Sequence, residues 1–188
     1  MLHEDAEADG DTESAADLDR IHKAGVHLLH LINEILDLAK IDAGKMEVFL
    51  QPLSFAHSIR EIIDEMRPEA DRKGNVLNLS VAPEIGICML DDQKVRQIVH
   101  QLVDNAVKFT NQGLVSVTAD IEERADGERR IRLAVRDTGC GIGPDDLGRL
   151  FQQFTVLGDA SSSKYGGTGL GLALSRKFCQ LLGGDISA

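Results

Sequence analysis

Three short stretches of this chain carry residue types whose spacing suits the binding of a metal, a flat polar ring and phosphate. The first is Arg96-Gln97-Ile98-Val99-His100-Gln101-Leu102-Val103-Asp104-Asn105-Ala106-Val107-Lys108-Phe109-Thr110. Gln101, Asn105 and Lys108 follow at steps of four and three, which places them on one face of a helix. A neutral amide oxygen can ligate Mg²⁺ when triphosphate oxygens and water complete the octahedron, and a lysine one turn on can meet phosphate charge. Read alone, the pattern equally describes a helix with a solvated polar face.

The second stretch, Asp137-Thr138-Gly139-Cys140-Gly141-Ile142-Gly143, follows a run that reads as a strand. Glycines there let the backbone approach a flat ligand or take positive φ. A carboxylate at the mouth can accept a hydrogen bond from an exocyclic amine such as that of adenine. The bland alternative is a tight glycine turn with Asp137 as a cap. Aspartic proteases also use Asp-Thr-Gly, but they need two such carboxylates in an all-β setting, and helices flank this one on both sides. The third stretch is Lys164-Tyr165-Gly166-Gly167-Thr168-Gly169-Leu170-Gly171-Leu172. Its glycines precede a helix whose N-terminal amides and dipole can hold an anion. The spacing is neither that of a Walker A loop nor that of a dinucleotide fingerprint. A flexible structural loop is the competing reading.

These stretches need elements to hold them. Residues 12–43 carry Leu18, Ile21, Gly25, Leu28, Ile32, Ile35 and Ala39 at alternating three- and four-residue steps, a coiled-coil-like seam. Asp11 or Thr12 can cap the start of this helix and Gly44 marks its end. It cannot bury its own stripe and requires a partner helix. Beyond Gly44 the texture changes. Strands are expected over 46–53, 76–81, 87–90, 114–121 and 130–136. Helices are expected over 55–72 (with Pro68 as a point of kinking), 92–109, 145–154 and 170–182. The class is therefore α+β: a two-layer α/β sandwich, a mixed sheet covered by about three helices, preceded by a long coiled-coil-like helix.

Composition narrows the function. A net charge of −11 argues against non-specific nucleic-acid binding, which needs a basic surface to displace counterions. Three dispersed cysteines, Cys88, Cys140 and Cys179, have neither zinc spacing nor the even number of a disulfide framework, so reduced cytoplasmic thiols are expected. No apolar run approaches the roughly 20 residues of a membrane span. A membrane or sensor region of a parent protein would lie upstream.

In order and spacing, the three stretches resemble the N box and the two glycine boxes of sensor histidine kinases, with Phe151 and Phe154 matching the F box between them. The segment from Leu28 to Lys45, with its Asn33-Glu34-Ile35-Leu36-Asp37 centre, looks like the second helix of the dimerisation and phosphotransfer domain. The Lys164–Leu172 form looks especially like kinases of hybrid relay systems.

The resemblance implies an ATPase sandwich of the gyrase, Hsp90 and MutL type. It implies residues 1–45 as an acidic segment plus the second helix of a truncated phosphotransfer domain. It implies 46–188 as the ATP-binding catalytic domain, truncated at its C-terminal strands. Carried over, Asn105 is the Mg²⁺ ligand, Asp137 reads adenine, and Lys108 contacts phosphate. Gly139, Gly141, Gly167, Gly169, Leu170 and Gly171 shape the pocket, with Lys164 and Thr168 adding phosphate contacts. Residues 158–166 form a lid. ATP and Mg²⁺ are the implied cofactors. The implied partners are a phosphoacceptor histidine helix and a response-regulator receiver domain, with a homodimeric parent.

Two departures matter. The acceptor motif, His followed by Glu or Asp and Leu-Arg-Thr-Pro, is absent. His3-Glu4 continues as Asp5-Ala6-Glu7, and His22, His27 and His30 sit on the second helix, so no autophosphorylation is expected. Gln101 stands where the family usually has asparagine. A nucleotide-binding pseudokinase, or an ATPase of the same fold, is the alternative.

Overall fold

The computed structural model describes residues 12–123, 127–155 and 168–188, and the chain divides into two compact units, 1–46 and 47–188. The first unit holds helix α1, Thr12–Asp42. Asp11 and the Thr12 side chain, the expected caps, lie outside the described residues. The helix ends in a Schellman motif: Gly44 takes φ +64°, Lys45 N–H donates to Lys40 O at 2.8 Å and Gly44 N–H to Ile41 O at 2.9 Å. Ile21, Leu28, Leu29, Ile32, Ile35 and Leu36 are exposed along it.

In the second unit, β1 (Gln51–Ser54), α2 (Phe55–Arg72), β2 (Val76–Val81), a 3₁₀ turn (Pro83–Ile85), β3 (Ile87–Leu90), α3 (Asp92–Phe109), β4 (Leu114–Glu123) and β5 (Arg129–Asp137) come first. Then follow the short α4 (Pro144–Leu147) and α5 (Gly171–Leu181). Strands β2, β4 and β5 form a mixed sheet, parallel between β2 and β4 and antiparallel between β4 and β5. Strands β1 and β3 pair separately, antiparallel.

Periodicity explains the packing. Helix α2 buries Phe55, Ile59, Ile62, Ile63, Met66 and Ala70, spaced as one helical stripe. It runs through Pro68 without a break in the helix. Helix α3 buries Val95, Ile98, Val99, Val103, Ala106 and Val107. In β4, Val115, Val117 and Ala119 are buried while their neighbours Ser116, Thr118 and Asp120 are not. Apart from Ile98, these three rows meet in one core. Ion pairs and hydrogen bonds tie α2 to α3 at the rim: Arg96 reaches Glu61 on α2 and Asp92 on its own helix, and Ser58 Oγ donates to Asp92 Oδ1 at 2.7 Å.

Two elements are shorter than expected. The strand placed at 46–53 is β1, Gln51–Ser54 only. Its partner β3 ends at Leu90, opposite Gln51, because Asp91 is already the N-cap of α3. The Phe49 N–H that would have joined the ladder donates instead to Asp91 Oδ2 at 2.9 Å. The helix placed at 145–154 is α4, Pro144–Leu147, followed by turns. Successive i→i−3 bonds, Arg149 N to Asp146 O and Gln152 N to Arg149 O, replace the α pattern, and Phe154 ends the run at φ +59°. Cys88, Cys140 and Cys179 are free thiols.

Candidate functional site

Helix α3 is the spine of the site. Asp91 starts it, its carboxylate accepting from Lys94 N–H at 3.2 Å and from Lys94 Nζ at 2.7 Å in a buried pair. Burial alone would raise the Asp91 carboxyl. The hydrogen bonds from Lys94 and Phe49 and the Lys94 charge outweigh it and hold the group below the usual carboxylate range. With the apolar stripe turned to the core, Gln101, Asn105 and Lys108 are left half-buried on the other side. Burial pulls the Lys108 ammonium below its ordinary range; Asp104 opposes this and Lys73 adds to it.

The first glycine segment packs against the far end of this helix. Strand β5 ends at Asp137, opposite Val115. Thr138 Oγ1 accepts from Leu114 N–H at 2.9 Å, and Gly139 N–H donates to Asp137 Oδ1 at 2.9 Å. A Cβ on Gly139 would stand 2.5 Å from Phe109 O and 2.9 Å from Asp137 Oδ1, so only glycine fits between the helix end and the carboxylate. Gly141 has φ +71° with open space around it.

The second glycine segment packs on the same helix farther back. Gly169, at φ +68°, lies against the backbone of Phe154 and Thr155, 2.7 Å from where its Cβ would be. Thr168 Oγ1 accepts from Leu170 N–H at 3.0 Å. Leu170 is buried, and its carbonyl accepts the first α5 bond, from Leu174 N–H at 2.8 Å. The space beside Gly171 is filled by the amide of Gln101. The fold thus brings all three stretches together at α3: Asp137 and Gly139 at its C-terminal end, Gly171 against its middle. Lys164, Gly167 and the expected lid at 158–166 lie outside the described residues. Asn105 and Lys108 lie between the two glycine contacts along the helix.

Sequence reasoning missed Lys73 and Asn75. Asn75 is buried, and its Nδ2 donates to Thr110 O at 2.8 Å and Val107 O at 3.3 Å, while its Oδ1 accepts from Gly113 N–H at 3.1 Å. Lys73 Nζ donates to Lys108 O at 2.8 Å and Val107 O at 3.3 Å. Gly74, at φ +67°, was the only local signal of the turn that presents them. Phe151, the other F-box residue, lies under the Arg176 guanidinium at 5.6 Å.

No group of three or more His, Cys, Asp or Glu among the described residues could hold a metal by itself.

Comparison with known proteins agrees with this arrangement. Residues 90–188 match the family described as histidine kinase-, DNA gyrase B- and HSP90-like ATPase. The chain is 35% identical over 170 residues to hybrid signal transduction histidine kinase B of Dictyostelium discoideum, covering 90% of this chain and 9% of that protein. It is 39% identical over 170 residues to the circadian input-output histidine kinase CikA of Synechococcus elongatus, covering 88% of this chain and 22% of that protein. Among solved structures, full-length ShkA in complex with AMPPNP superposes with a TM-score of 0.76 at 32% identity, over 92% of this chain and 35% of that one. The chain thus spans less than a quarter of these two curated relatives. With both glycine segments seated on the helix of Asn105 and Lys108, the chain belongs to the histidine kinase-, DNA gyrase B- and HSP90-like ATPase family, as the ATP-binding catalytic core of a sensor histidine kinase.

Proposed function

We propose that this core transfers the γ-phosphate of ATP to a histidine nitrogen, for relay to an aspartate of a receiver domain. The observation that carries the reading is the seating of Gly139 and Gly171 on one helix, either side of Asn105 and Lys108. In this reading Asp137 accepts a hydrogen bond from the adenine amino group. Gly139 and Gly141 keep the backbone low enough for the ring to approach. Asn105 is the one protein ligand of the Mg²⁺ that accompanies the triphosphate, and that ion offsets charge on the phosphate oxygens. Lys108 meets phosphate directly, and its partly desolvated ammonium acts in a medium that screens it less than water does. Gly167, Thr168, Gly169, Leu170 and Gly171, with Lys164, surround the phosphates at the start of α5. Gln101 braces α5 rather than serving the metal, because its amide is already packed against Gly171.

Residues 1–45 then supply the second helix of a dimerisation and phosphotransfer domain, 46–188 the catalytic domain, and the working form is a cytoplasmic homodimer. The exposed apolar row on α1 supports the need for partner helices. None of the described histidines is expected to accept phosphate. His57 pairs with Glu61 at 3.3 Å and His30 with Glu34 at 3.5 Å, each on its own helix. His3 lies outside the described residues.

Two measurements test this reading. Calorimetric titration of Mg-ATP should give binding that Asp137→Asn weakens by roughly tenfold or more, the scale of a lost hydrogen bond to a charged group. Incubation of the chain with labelled ATP and a separate histidine phosphotransfer domain should place acid-labile, base-stable phosphate on the added domain and none on the chain. Binding without transfer would favour a pseudokinase, and ATP turnover with no acceptor present would favour a plain ATPase.

A further inference from the structure

The loop between α3 and β4, residues 110–113, touches both halves of the site. On one side the Asp137-Thr138-Gly139 segment holds it: Thr138 N–H donates to Leu114 O at 3.1 Å, Leu114 N–H donates to Thr138 Oγ1, and Gly139 abuts Phe109 O. A Cβ on Gly113 would meet both Thr138 Oγ1 and Thr110 Cγ2 within 2.7 Å, so the loop and the Asp137 segment are interlocked. On the other side the turn entering β2 holds it. Val76 N–H donates to Gly113 O at 2.8 Å and Gln112 N–H to Lys73 O at 3.0 Å. Asn75 adds side-chain bonds at three points, Val107 O, Thr110 O and Gly113 N–H.

Asn75 is 4% exposed and its two donor bonds are buried, so these form where water does not replace them. Its two donor bonds satisfy carbonyls at the C-terminal end of α3, which have no partner within the helix. Lys73 adds a positive charge at the same helix end, where the macrodipole favours it. The last turn of α3 carries Lys108 and sits one turn beyond Asn105. A shift of this turn therefore moves Lys108, assigned to phosphate, relative to Asn105, together with the Phe109 carbonyl against which Gly139, and through it Asp137, is seated.

We infer that Asn75 is a positioning residue for the nucleotide, fixing the register between the phosphate-binding end of α3 and the adenine-reading Asp137 while touching no ligand itself. The inference rests on the functional reading above, in that it takes Asn105, Lys108 and Asp137 as the nucleotide contacts.

The test uses the whole chain with Mg-ATP as probe, and compares Asn75→Leu, Asn75→Ala and Ile59→Val. Ile59 is fully buried in α2 and outside the binding groups, so its loss of a methyl group lowers stability without touching the loop. Affinity, melting temperature and the amide resonances of Gly113 and Gly139 are read for each. The expected result is roughly tenfold weaker binding by Asn75→Leu, about 1.4 kcal/mol, with both glycine resonances shifted. Asn75→Ala, which removes the same three bonds but leaves space for water to meet the freed groups, should fall between. Ile59→Val should bind as the unaltered chain does despite its lower melting temperature.

Unchanged affinity in a folded Asn75→Leu overturns the inference and leaves the functional reading standing, as does an equal loss in Ile59→Val. Should Asn75→Leu fail to fold, Asn75→Ala decides by the same comparison. Absence of ATP binding by the unaltered chain overturns the functional reading and this inference together.

Discussion

The side-chain amide of Gln101 fills the space that Gly171 leaves open: a Cβ on Gly171 would lie 2.8 Å from Gln101 Nε2 and closer still to its Oε1 and Cδ. The contact joins α3 to the first turn of α5. It explains both an amide longer than asparagine at 101 and the absence of a side chain at 171.

Gly171→Ala should therefore overpack the joint by about 1–3 kcal/mol and weaken Mg-ATP binding. The obstructing atoms are the end of a flexible side chain, so Gln101→Ala in the same chain should recover most of the loss. A double-mutant cycle on melting temperature and affinity should show a coupling of about 1 kcal/mol. Purely additive effects would mean that Gln101 does not brace the helix.

Gly169 offers no such relief. It sits at φ +68° with the Phe154 and Thr155 backbone 2.7 Å from its absent Cβ. Gly169→Ala carries the left-handed penalty of about 1–2 kcal/mol and a backbone clash besides. Gly141→Ala, at φ +71° in open space, carries the first alone. Thermal unfolding should place Gly169→Ala clearly below Gly141→Ala, and equal losses would contradict the packing at Gly169.

Thr110 Oγ1 is buried without a hydrogen-bond partner among the described residues. An unmet buried hydroxyl costs roughly 1–3 kcal/mol, so Thr110→Val should raise the melting temperature while leaving the bond from Asn75 Nδ2 to the residue 110 carbonyl in place. A fall instead would show that a water molecule or ligand meets the hydroxyl.

Asp91 should make stability acid-sensitive. Its carboxyl is held below its unfolded value, so its contribution is present above the unfolded pKa, near 3.9, and is lost as pH falls through the lower folded value. Chemical denaturation of the parent chain should weaken below about pH 4. Asp91→Asn should start less stable at neutral pH, because Lys94 loses its buried partner, and should show a flatter acid limb. An unchanged acid limb would remove Asp91 from the account.

Much of this was legible in the chain alone. Stripes such as Phe55, Ile59, Ile62, Met66 and the alternation Val115, Val117, Ala119 specify their elements because a helix and a strand repeat every 3.6 and two residues. The common face of Gln101, Asn105 and Lys108 follows from the same arithmetic, and the glycine-rich stretches announced themselves by composition. Element ends were less legible. Strand β1 is cut short because Asp91, forty-two residues away, takes the Phe49 N–H. The run after α4 turns away from helix at Phe154, a residue whose positive φ no local propensity announces.

What the sequence by itself determined is the set of elements and the three stretches of chemically suited residues, since each depends on neighbours a few positions apart. What only the tertiary structure decided is which atoms meet. Asn75 reaches Thr110 across 35 residues, Gly139 lies under the Phe109 carbonyl, and Gln101 occupies the side of Gly171. Those contacts arise from how α2, α3 and the sheet close on a shared core. Close packing leaves one arrangement of side chains between elements, and no periodicity along a single element encodes it.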